Sequence, residues 1–418
     1  MARPWVAVLL LAVTPAIGVQ GAAKRPRKKT VKAAPVVSPQ ERNEAVKFVS
    51  SRAALAIDSI ENPAALVPFF LQLGNANGPL HILQYGDSHT ASDDWTNTMR
   101  QSLQSRFGNG GAGYTLPGSP FRGYRRWDIR GTGSSGWQTE GTLGHFTDGR
   151  YGLAGVSIST NQPGETVTLT TACAALKMFY LRQPGGGELD FLVDGGTAAK
   201  ISTNGELGSG TFEFFPPPGQ HEYSLATRGN APVKLFGWAA DNRNGVTYET
   251  LGINGAQAYM MLDWDEAVLS EHMAQRNPAL ILLEYGTNEA ISPGWTPAKY
   301  AAELSRVLDR VRHLAPLASI LLVGPPDCYF RMRNGQFFSA HLSEVVEIQR
   351  EIAFQHRCAF WDLRARMGGA GSVEGWVQAG YGQSDHVHFT KLGYQLVGEM
   401  LTEELLEQYR RFQAVKTE

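Results

Sequence analysis

The sequence predicts an α/β protein, a doubly wound parallel sheet with an inserted all-β sandwich domain. Near-continuous apolar runs, typical of central parallel strands, alternate with amphipathic helical patterns in residues 245–410. One further strand and helix pattern precedes residue 109. Between these two parts, short apolar runs are separated by Gly, Ser and Thr turn signals, which is typical of antiparallel β structure.

The composition allows a large core and excludes several classes of protein. Of the 418 residues, 43% are apolar and 18% are charged, which suffices for two or three domains. The formal net charge of −1 gives no bulk electrostatic reason to expect a nucleic-acid partner. The three cysteines, Cys173, Cys328 and Cys358, are too few for a disulfide framework or a zinc site, although one Cys328–Cys358 bridge stays open.

The N-terminal region predicts a targeting segment and a linker. Arg3 precedes an apolar run from Trp5 to Val19, and small residues follow, so we expect a secretory signal peptide over residues 1–23. An uncleaved membrane anchor is the alternative, although the run is short for a span. Residues 24–38 are basic and predict a flexible linker, which could contact an acidic envelope surface or act only as a tether. The expected location is the periplasm or the cell envelope.

Residues 39–129 are predicted to form the first part of the α/β domain. The sequence of residues 38–41, Ser-Pro-Gln-Glu, is a helix-start signature. Residues 80–86 predict a buried strand, and Ser92 is the predicted cap of the next helix. The glycines of residues 108–113 have dinucleotide-binding spacing, but they follow a helix instead of opening one, so a flexible loop is predicted.

Residues 130–243 are predicted to form the inserted β-sandwich, and residues 244–418 the second part of the α/β domain. The second part has four predicted strands, VTYETLG, PALILLEYG, ASILLVGPP and CAFWDLR, with helices between and after them. The stretch 121–138 mixes Arg with Tyr and Trp. It could stack on sugar rings and bind an anionic glycan, or it could only pack against the β module.

Chemically capable residues follow the predicted parallel strands where each strand ends. Ser88 follows the first strand, Gly255 the second and Asn288 the third, while Asp385 and His388 precede the last helix. The carboxyl ends of parallel strands meet at one edge of a sheet, and ligands bind there. We therefore expect these five residues to lie close together.

These residue types suit nucleophilic attack on an ester. A serine hydroxyl is a poor nucleophile until a base takes its proton. His388 can be that base, and Asp385 can hold its other ring nitrogen. The backbone N–H groups of Ser88 and Gly255 and the side-chain amide of Asn288 could stabilise the oxyanion that develops. This chemistry requires neither a metal nor an organic cofactor.

Several of these residues also have a purely structural interpretation. Ser88 could be a helix-start hydroxyl in a tight turn, and Asn288 an Asx-turn residue. Gly255 could only close a turn, in which case Gly252 is the alternative donor.

The histidines near the C-terminus and at the first strand leave further alternatives. His386 is the competing base, and His386-Val387-His388 mimics a metal-binding pair, but no upstream acid–histidine cluster completes such a site. The turn from Asp385 to His388 could instead cap the last helix. His89 could flank the pocket or bond locally. Asp87 is expected to orient the turn through backbone groups rather than to react.

Four ordered blocks of the sequence resemble the SGNH (GDSL-type) hydrolases. They are residues 86–88 (Gly-Asp-Ser), the Gly255 turn, residues 286–288 (Gly-Thr-Asn) and residues 385–388 (Asp-His-Val-His). The Gly-Asp-Ser-His variant, the signal peptide and the inserted module narrow the resemblance to bacterial peptidoglycan O-acetylesterases of that family, whose β module is similar to carbohydrate-binding modules. Glu289 departs from the pattern, because many members carry Asp there.

The resemblance implies a flavodoxin-like three-layer sandwich and the removal of acetyl groups from sugar hydroxyls. It implies Ser88, Asp385 and His388 as a catalytic triad, and Ser88, Gly255 and Asn288 as the oxyanion hole. The expected partner is an O-acetylated polysaccharide, most simply peptidoglycan, and we expect a monomer without a cofactor. The alternatives are an acetyl transferase, an esterase acting on a lipid or another polysaccharide, and a non-catalytic glycan-binding protein. The intact Ser, Asp, His and Asn argue against the last.

Overall fold

The computed structural model describes residues 37–54, 59–74, 78–331, 337–338 and 341–417. The predicted signal peptide and almost all of the predicted linker lie outside these residues. Within them, no helix is both long and apolar enough to cross a membrane.

Strands and helices follow one another along the chain as the sequence pattern indicates. In the described residues the strands are β1 (Ile60–Glu61), β2 (Pro79–Gly86), β3 (Gly111–Thr115), β4 (Arg130–Gly133), β5 (Gln138–Glu140), β6 (Ser157–Thr160), β7 (Thr166–Ala172), β8 (Ala175–Arg182), β9 (Glu188–Val193), β10 (Gly196–Ser202), β11 (Gly208–Phe214), β12 (Gln220–Arg228), β13 (Val233–Asp241), β14 (Gly245–Gly252), β15 (Leu280–Glu284), β16 (Ser319–Val323), β17 (Phe330–Arg331), β18 (Phe337–Phe338) and β19 (Ala359–Trp361). The α-helices are α1 (Pro39–Ala53), α2 (Val67–Gly74), α3 (Ser88–Ala91), α4 (Asp94–Phe107), α5 (Glu266–Arg276), α6 (Pro297–Leu314), α7 (Leu342–Gln355), α8 (Leu363–Met367), α9 (Ser372–Gln378) and α10 (Lys391–Thr417). Short 3₁₀ helices span Pro63–Leu66, Ala258–Asp263 and Glu289–Ile291.

The main sheet confirms the predicted doubly wound parallel fold. Its strand order is β1-β19-β16-β15-β2-β14, and all neighbours except β1 run parallel. Counted along the chain, the five parallel strands have the spatial order 2-1-3-4-5, which is the flavodoxin-like arrangement. The strand order reverses between β2 and β15, and ligands bind in the crevice at such a switch point.

Helices cover both faces of the main sheet, so its strands are buried on both sides. Along β2, Leu80 and Ile82 pack with α1, α2, α4 and α10 on one face. Leu83 and Tyr85 pack with α5, α6 and α7 on the other face. This arrangement explains why the strands read as continuous apolar runs instead of alternating ones.

The inserted region forms two antiparallel sheets, in agreement with the predicted β insertion. One has the order β10-β9-β12-β7-β4 and the other β11-β8-β13-β6-β5. Residues such as Leu169, Phe191 and Trp238 form the core that the two sheets share. The predicted domain limits at residues 130 and 243 stay a prediction.

The glycine-rich stretch 108–113 is not the flexible loop that the sequence predicts. Gly111 begins β3, which pairs with β13. A Cβ on Gly111 would lie 2.4 Å from the carbonyl oxygen of Ala240, and its φ is +101°. The glycine therefore permits close approach of two strands, a use that local sequence does not distinguish from a loop.

A buried ion network holds α5 against the β insertion and the main sheet. Arg276 of α5 donates to Asp241 at 2.6 Å and also to Glu249. The same guanidinium lies 2.7 Å from Nδ1 of His81. Burial alone would raise the pKa of Glu249, but Arg276 and His81 outweigh it and lower the pKa to about 2.

Loss of the Arg276 guanidinium should destabilise the protein strongly. Arg276→Met leaves the Glu249 carboxylate buried and unpaired, so we expect a loss of about 3–5 kcal/mol in the free energy of unfolding. Urea unfolding followed by circular dichroism measures this loss. Arg228→Met is the control, because Arg228 pairs with Asp190 at the surface, and it should cost less than about 1 kcal/mol. Similar small losses in both variants would contradict the assignment.

Candidate active site

Three neighbouring parallel strands end at the same level of the main sheet. Gly86 at the end of β2 pairs with Gly252 of β14 and with Glu284 of β15. The chain therefore leaves all three strands at one edge, next to the point where the strand order reverses. The segments that follow contain the predicted site residues Ser88, Gly255 and Asn288.

The structure brings Ser88, His388 and Asp385 into one hydrogen-bonded chain. The Ser88 hydroxyl lies 2.9 Å from Nε2 of His388. Nδ1 of His388 lies 2.8 Å from a carboxylate oxygen of Asp385. The other Asp385 oxygen accepts backbone N–H bonds from Val387 and His388, each at 3.0 Å. Such a chain suits proton transfer from the serine to the imidazole.

In this hydrogen-bonded chain of side chains, Asp385 is held as a carboxylate and the imidazole of His388 is made more basic. Burial alone would raise the pKa of Asp385, but hydrogen bonds from His388 and from two backbone N–H groups outweigh it and hold that pKa well below its usual range. The hydrogen bond to Asp385 raises the pKa of His388, and burial only partly opposes this. The charge of Asp87 raises the pKa of His388 further.

Asp87 orients the turn that presents Ser88 through backbone groups, as the sequence predicts. It caps the four-residue helix α3, and its carboxylate accepts the backbone N–H of His89 at 2.9 Å. Asp87 is completely buried, whereas Ser88 is half-buried. Burial raises the pKa of Asp87 to about 7. This carboxyl is therefore a structural acid directly beneath the serine.

The side chain of Asn288 lies beside the serine turn, but both of its amide hydrogens are already engaged. Nδ2 donates to the Asp87 carboxylate at 3.0 Å and to the carbonyl of Ala256 at 3.1 Å. Asn288 thus ties together the turns after β2, β14 and β15. One of these bonds must exchange before the amide can reach an oxyanion.

Gly255 adopts a backbone conformation that favours glycine, with φ of +75°. A Cβ at this position would lie 2.5 Å from Cδ1 of Leu143, a residue of the β insertion. Among the described residues, no acceptor takes the backbone N–H of Gly255 or of Ser88. Both N–H groups are therefore available to an incoming group.

The other two histidines near the site have different partners. The ring of His386 contacts Glu374 at 3.2 Å and the carbonyl of Ser384 at 3.1 Å, away from the serine. His89 is buried, and its Nδ1 lies 2.9 Å from the hydroxyl of Tyr394. Burial lowers the pKa of His89 to about 3, so its ring is neutral. Over the described part of the chain, no group of three His, Cys, Asp or Glu residues could hold a metal ion.

Two buried carboxyl groups that the sequence analysis did not assign support the site from below. Glu289 accepts the backbone N–H groups of Ala258 at 2.7 Å and Gly286 at 2.9 Å, and burial raises its pKa to about 7. Glu284 accepts the hydroxyl of Thr90 at 2.9 Å, and burial raises its pKa well above the usual range. The sequence signal that could have identified Glu284 is its position as an acid at the end of the apolar run that forms β15.

The sequence predicts Ser92 as the N-cap of α4, and the structure contradicts this prediction. The N-cap position of α4 is Asp93, whereas the Ser92 hydroxyl donates to the carbonyl of His89 at 3.1 Å. The Asp93 carboxylate instead pairs with Arg100 at 2.7 Å and accepts the backbone N–H of Trp127 at 2.8 Å. A buried ion pair with Arg100 of the same helix and a bond to the distant Trp127 backbone therefore replace the local cap.

Comparison with known proteins finds similarity to esterases. Residues 218–396 match the GDSL-like lipase/acylhydrolase family. A solved peptidoglycan O-acetylesterase is similar at 29% identity and a TM-score of 0.70, over 82% of this chain and 96% of that one. A family two carbohydrate esterase from Cellvibrio japonicus matches at 14% identity and a TM-score of 0.29, over 68% of this chain and 98% of that one. No curated protein matches the sequence significantly.

The fold, the match and the hydrogen-bonded serine define the class of protein. Over residues 218–396 the chain is similar to the GDSL-type (SGNH) hydrolases, and it is an esterase. Within that class it resembles the peptidoglycan O-acetylesterase just described.

The pH dependence of ester hydrolysis should report the pairing of His388 with Asp385. If His388 is the general base, it must be neutral to accept the serine proton, so kcat/KM should rise with pH, with a midpoint above the ordinary histidine value of about 6.5. Asp385→Asn removes the cause of the raised pKa. Its midpoint should move to lower pH, and its plateau should fall by about 10²- to 10⁴-fold.

Kinetics on a small acetyl ester from pH 5 to 9 measure both effects. Asp190→Asn, which removes a carboxylate of the β insertion, is the control and should keep the parent profile. A midpoint that stays fixed or moves upward in Asp385→Asn would contradict the pairing.

Substitution of Gly255 tests whether close approach at this turn matters. Gly255→Ala places a Cβ against Leu143 at positive φ, so the turn must shift, and kcat/KM on a small acetyl ester should fall about 10- to 100-fold. Adding Leu143→Ala should restore part of the loss.

The matched control is Gly229→Ala. Gly229 also has positive φ, +70°, but open space surrounds it, so its activity should match that of the parent. If Leu143→Ala restores nothing, contact with Leu143 is not the cause.

Proposed function

We propose that this esterase removes O-acetyl groups from a cell-envelope polysaccharide, peptidoglycan above all, through an acetyl-enzyme intermediate. The observation that carries the proposal is the chain from Ser88 to His388 to Asp385, with heavy-atom distances of 2.9 and 2.8 Å. Its position at the switch point of the parallel sheet supports a ligand site there. The likeness to a peptidoglycan O-acetylesterase supports the choice of substrate.

The proposed acylation step uses each member of the triad. The Ser88 oxygen attacks the acetyl carbonyl carbon while its proton passes to Nε2 of His388. Asp385 keeps the other ring nitrogen protonated and stabilises the imidazolium. The tetrahedral intermediate collapses, the C–O bond to the sugar breaks, and His388 returns the proton to the sugar oxygen. The acetyl group stays on Ser88.

Deacylation repeats this sequence with water. His388 takes a proton from a water molecule, whose oxygen attacks the acetyl carbon of the intermediate. Collapse then breaks the bond to the Ser88 oxygen, which recovers the proton from His388, and acetate leaves.

The proposed oxyanion donors are the backbone N–H groups of Ser88 and Gly255 and the amide of Asn288. The two backbone groups have no acceptor within the described structure, which supports this role. For the Asn288 amide to take part, the oxyanion must replace Asp87 or the Ala256 carbonyl as acceptor. A negatively charged oxygen is a stronger acceptor than a neutral carbonyl, which favours that exchange.

Leu143 supports a small acyl group. Its side chain lies against the Gly255 turn, so an acyl chain bound in the proposed hole meets an apolar wall on that side. Such a wall favours a short acyl group such as acetyl. The proposal also includes export by the signal peptide, a monomeric state, and action in the periplasm or cell envelope.

Acetate release from defined polymers tests the function. The parent protein should release acetate from O-acetylated peptidoglycan, and Ser88→Ala should lose about 10³-fold or more of that activity, because the nucleophile is absent. Ser105→Ala removes an exposed hydroxyl from α4 and should keep the parent rate. Acetylated xylan is the comparison substrate.

Two outcomes would count against the proposal. Equal acetate release by the parent and Ser88→Ala would remove Ser88 from the mechanism. Acetate release from xylan alone would contradict the proposed substrate but not the proposed catalytic mechanism.

A further inference from the structure

A partly exposed tryptophan with two cations lies beside the proposed site. Trp127 is 46% exposed, and its ring centroid lies 4.4 Å from the Lys391 ammonium and 5.7 Å from the Arg125 guanidinium. Lys391 is the first residue of α10, three positions after His388. The backbone N–H of Arg125 donates to the carbonyl of Ala91 at 3.3 Å, at the end of the helix that starts with Ser88. Both cations therefore belong to segments attached directly to the triad.

Buried acids, not a surrounding apolar core, hold Trp127 in place. Its backbone N–H donates to Asp93 at 2.8 Å, and its indole N–H donates to Asp94 at 3.0 Å. Asp93 is completely buried and pairs with Arg100 at 2.7 Å. The indole is thus fixed before any ligand arrives, which lowers the entropic cost of binding to it.

The two cations have no carboxylate partner among the described residues. Neither Arg125 nor Lys391 forms a salt bridge there, and both side chains lie on exposed residues. Two positive charges against one indole repel each other. Asp94 already accepts the indole N–H. Burial raises the pKa of Asp94, and both cations are near enough to oppose that shift. A second negative charge would complete this arrangement.

A cleft that Arg125 helps to line extends along the β insertion. It has a volume of about 370 Å³, and Arg125, Arg130, Thr132 and Thr168 are among its lining residues. The Thr132 and Thr168 hydroxyls bond to each other at 2.8 Å, so the guanidinium groups are the main donors for the hydroxyl and carboxylate groups of a glycan. The cleft gives a polymer room to continue beyond the sugar that reacts.

We propose that Trp127, Arg125 and Lys391 form an anion-binding subsite. The subsite recognises a carboxylate group that the glycan carries next to its acetylated sugar. The assignment rests on the proposed function and specifies its substrate class, a carboxylate-bearing glycan. The planar fork of Arg125 matches a carboxylate, Lys391 adds a point charge, and the face of Trp127 keeps both cations in position. A neutral polymer such as xylan lacks the group that this subsite binds.

Binding to a protein without turnover tests the subsite directly. The Ser88→Ala variant should bind soluble O-acetylated peptidoglycan fragments at least tenfold more tightly than the same fragments with their carboxylates amidated. Adding Arg125→Gln or Lys391→Gln should weaken binding of the charged fragments about 5- to 10-fold each, with little change for the amidated ones. The gap between charged and amidated fragments should shrink as salt rises, because the interaction is exposed. Lys200→Gln, on the exposed strand β10, is the control and should keep the parent affinity.

The outcomes separate the subsite from the function on which it rests. Equal binding of charged and amidated fragments by Ser88→Ala would overturn the subsite. An equal loss for both fragments in Arg125→Gln and Lys391→Gln would also overturn it, since that pattern indicates a structural role. Tighter binding of inorganic polyphosphate than of the carboxylated fragments would overturn the choice of carboxylate.

Failure of the proposed function has a different signature. In that case the parent protein would hydrolyse a small acetyl ester but release no acetate from peptidoglycan. De-O-acetylated fragments could then still be tested as inhibitors of the small-ester reaction. Inhibition that needs the fragment carboxylates and both cations would support the subsite, and inhibition independent of either would overturn it.

Discussion

Pairing between β2, β14 and β15 is the constraint on which the candidate site depends. Gly86 pairs with both Gly252 and Glu284, so three parallel strands release their chains at one level. A one-residue slip of β2 would turn its side chains to the opposite layers, exchanging the Leu83 and Ile82 environments. The two apolar layers that clamp the sheet therefore also fix where Ser88 stands relative to the neighbouring turns.

Buried carboxyl groups stabilise the turns at this edge of the sheet. Asp87 and Glu289 each accept backbone N–H groups, and Glu284 accepts a hydroxyl. Each group has a raised pKa because burial disfavours its charge. Acids placed in this way stabilise tight turns that apolar side chains could not, because only an acceptor satisfies buried N–H groups.

The β insertion and the segment that precedes it, residues 111–129, contribute to the site as well as to the surface. Leu143 lies against Gly255, the Asn254 amide donates to the carbonyl of Arg122 at 2.8 Å, and Trp127 bonds to Asp93. Tyr114 of β3 and Phe236 of the insertion share an apolar core with α5. The insertion thus forms part of the rim around the serine, where a polymeric substrate would first make contact.

The sequence by itself determined the parallel strands, the antiparallel texture of the insertion and the positions of Ser88 and His388, because apolar periodicity and strand ends are local signals. It did not reveal that β3 begins at Gly111, that Asp93 accepts the backbone N–H of Trp127, or that Asn288 already has two acceptors. The grouping of Trp127 with Lys391 was equally hidden. Those features join residues far apart in the chain, so their energies depend on tertiary contacts that no local pattern encodes.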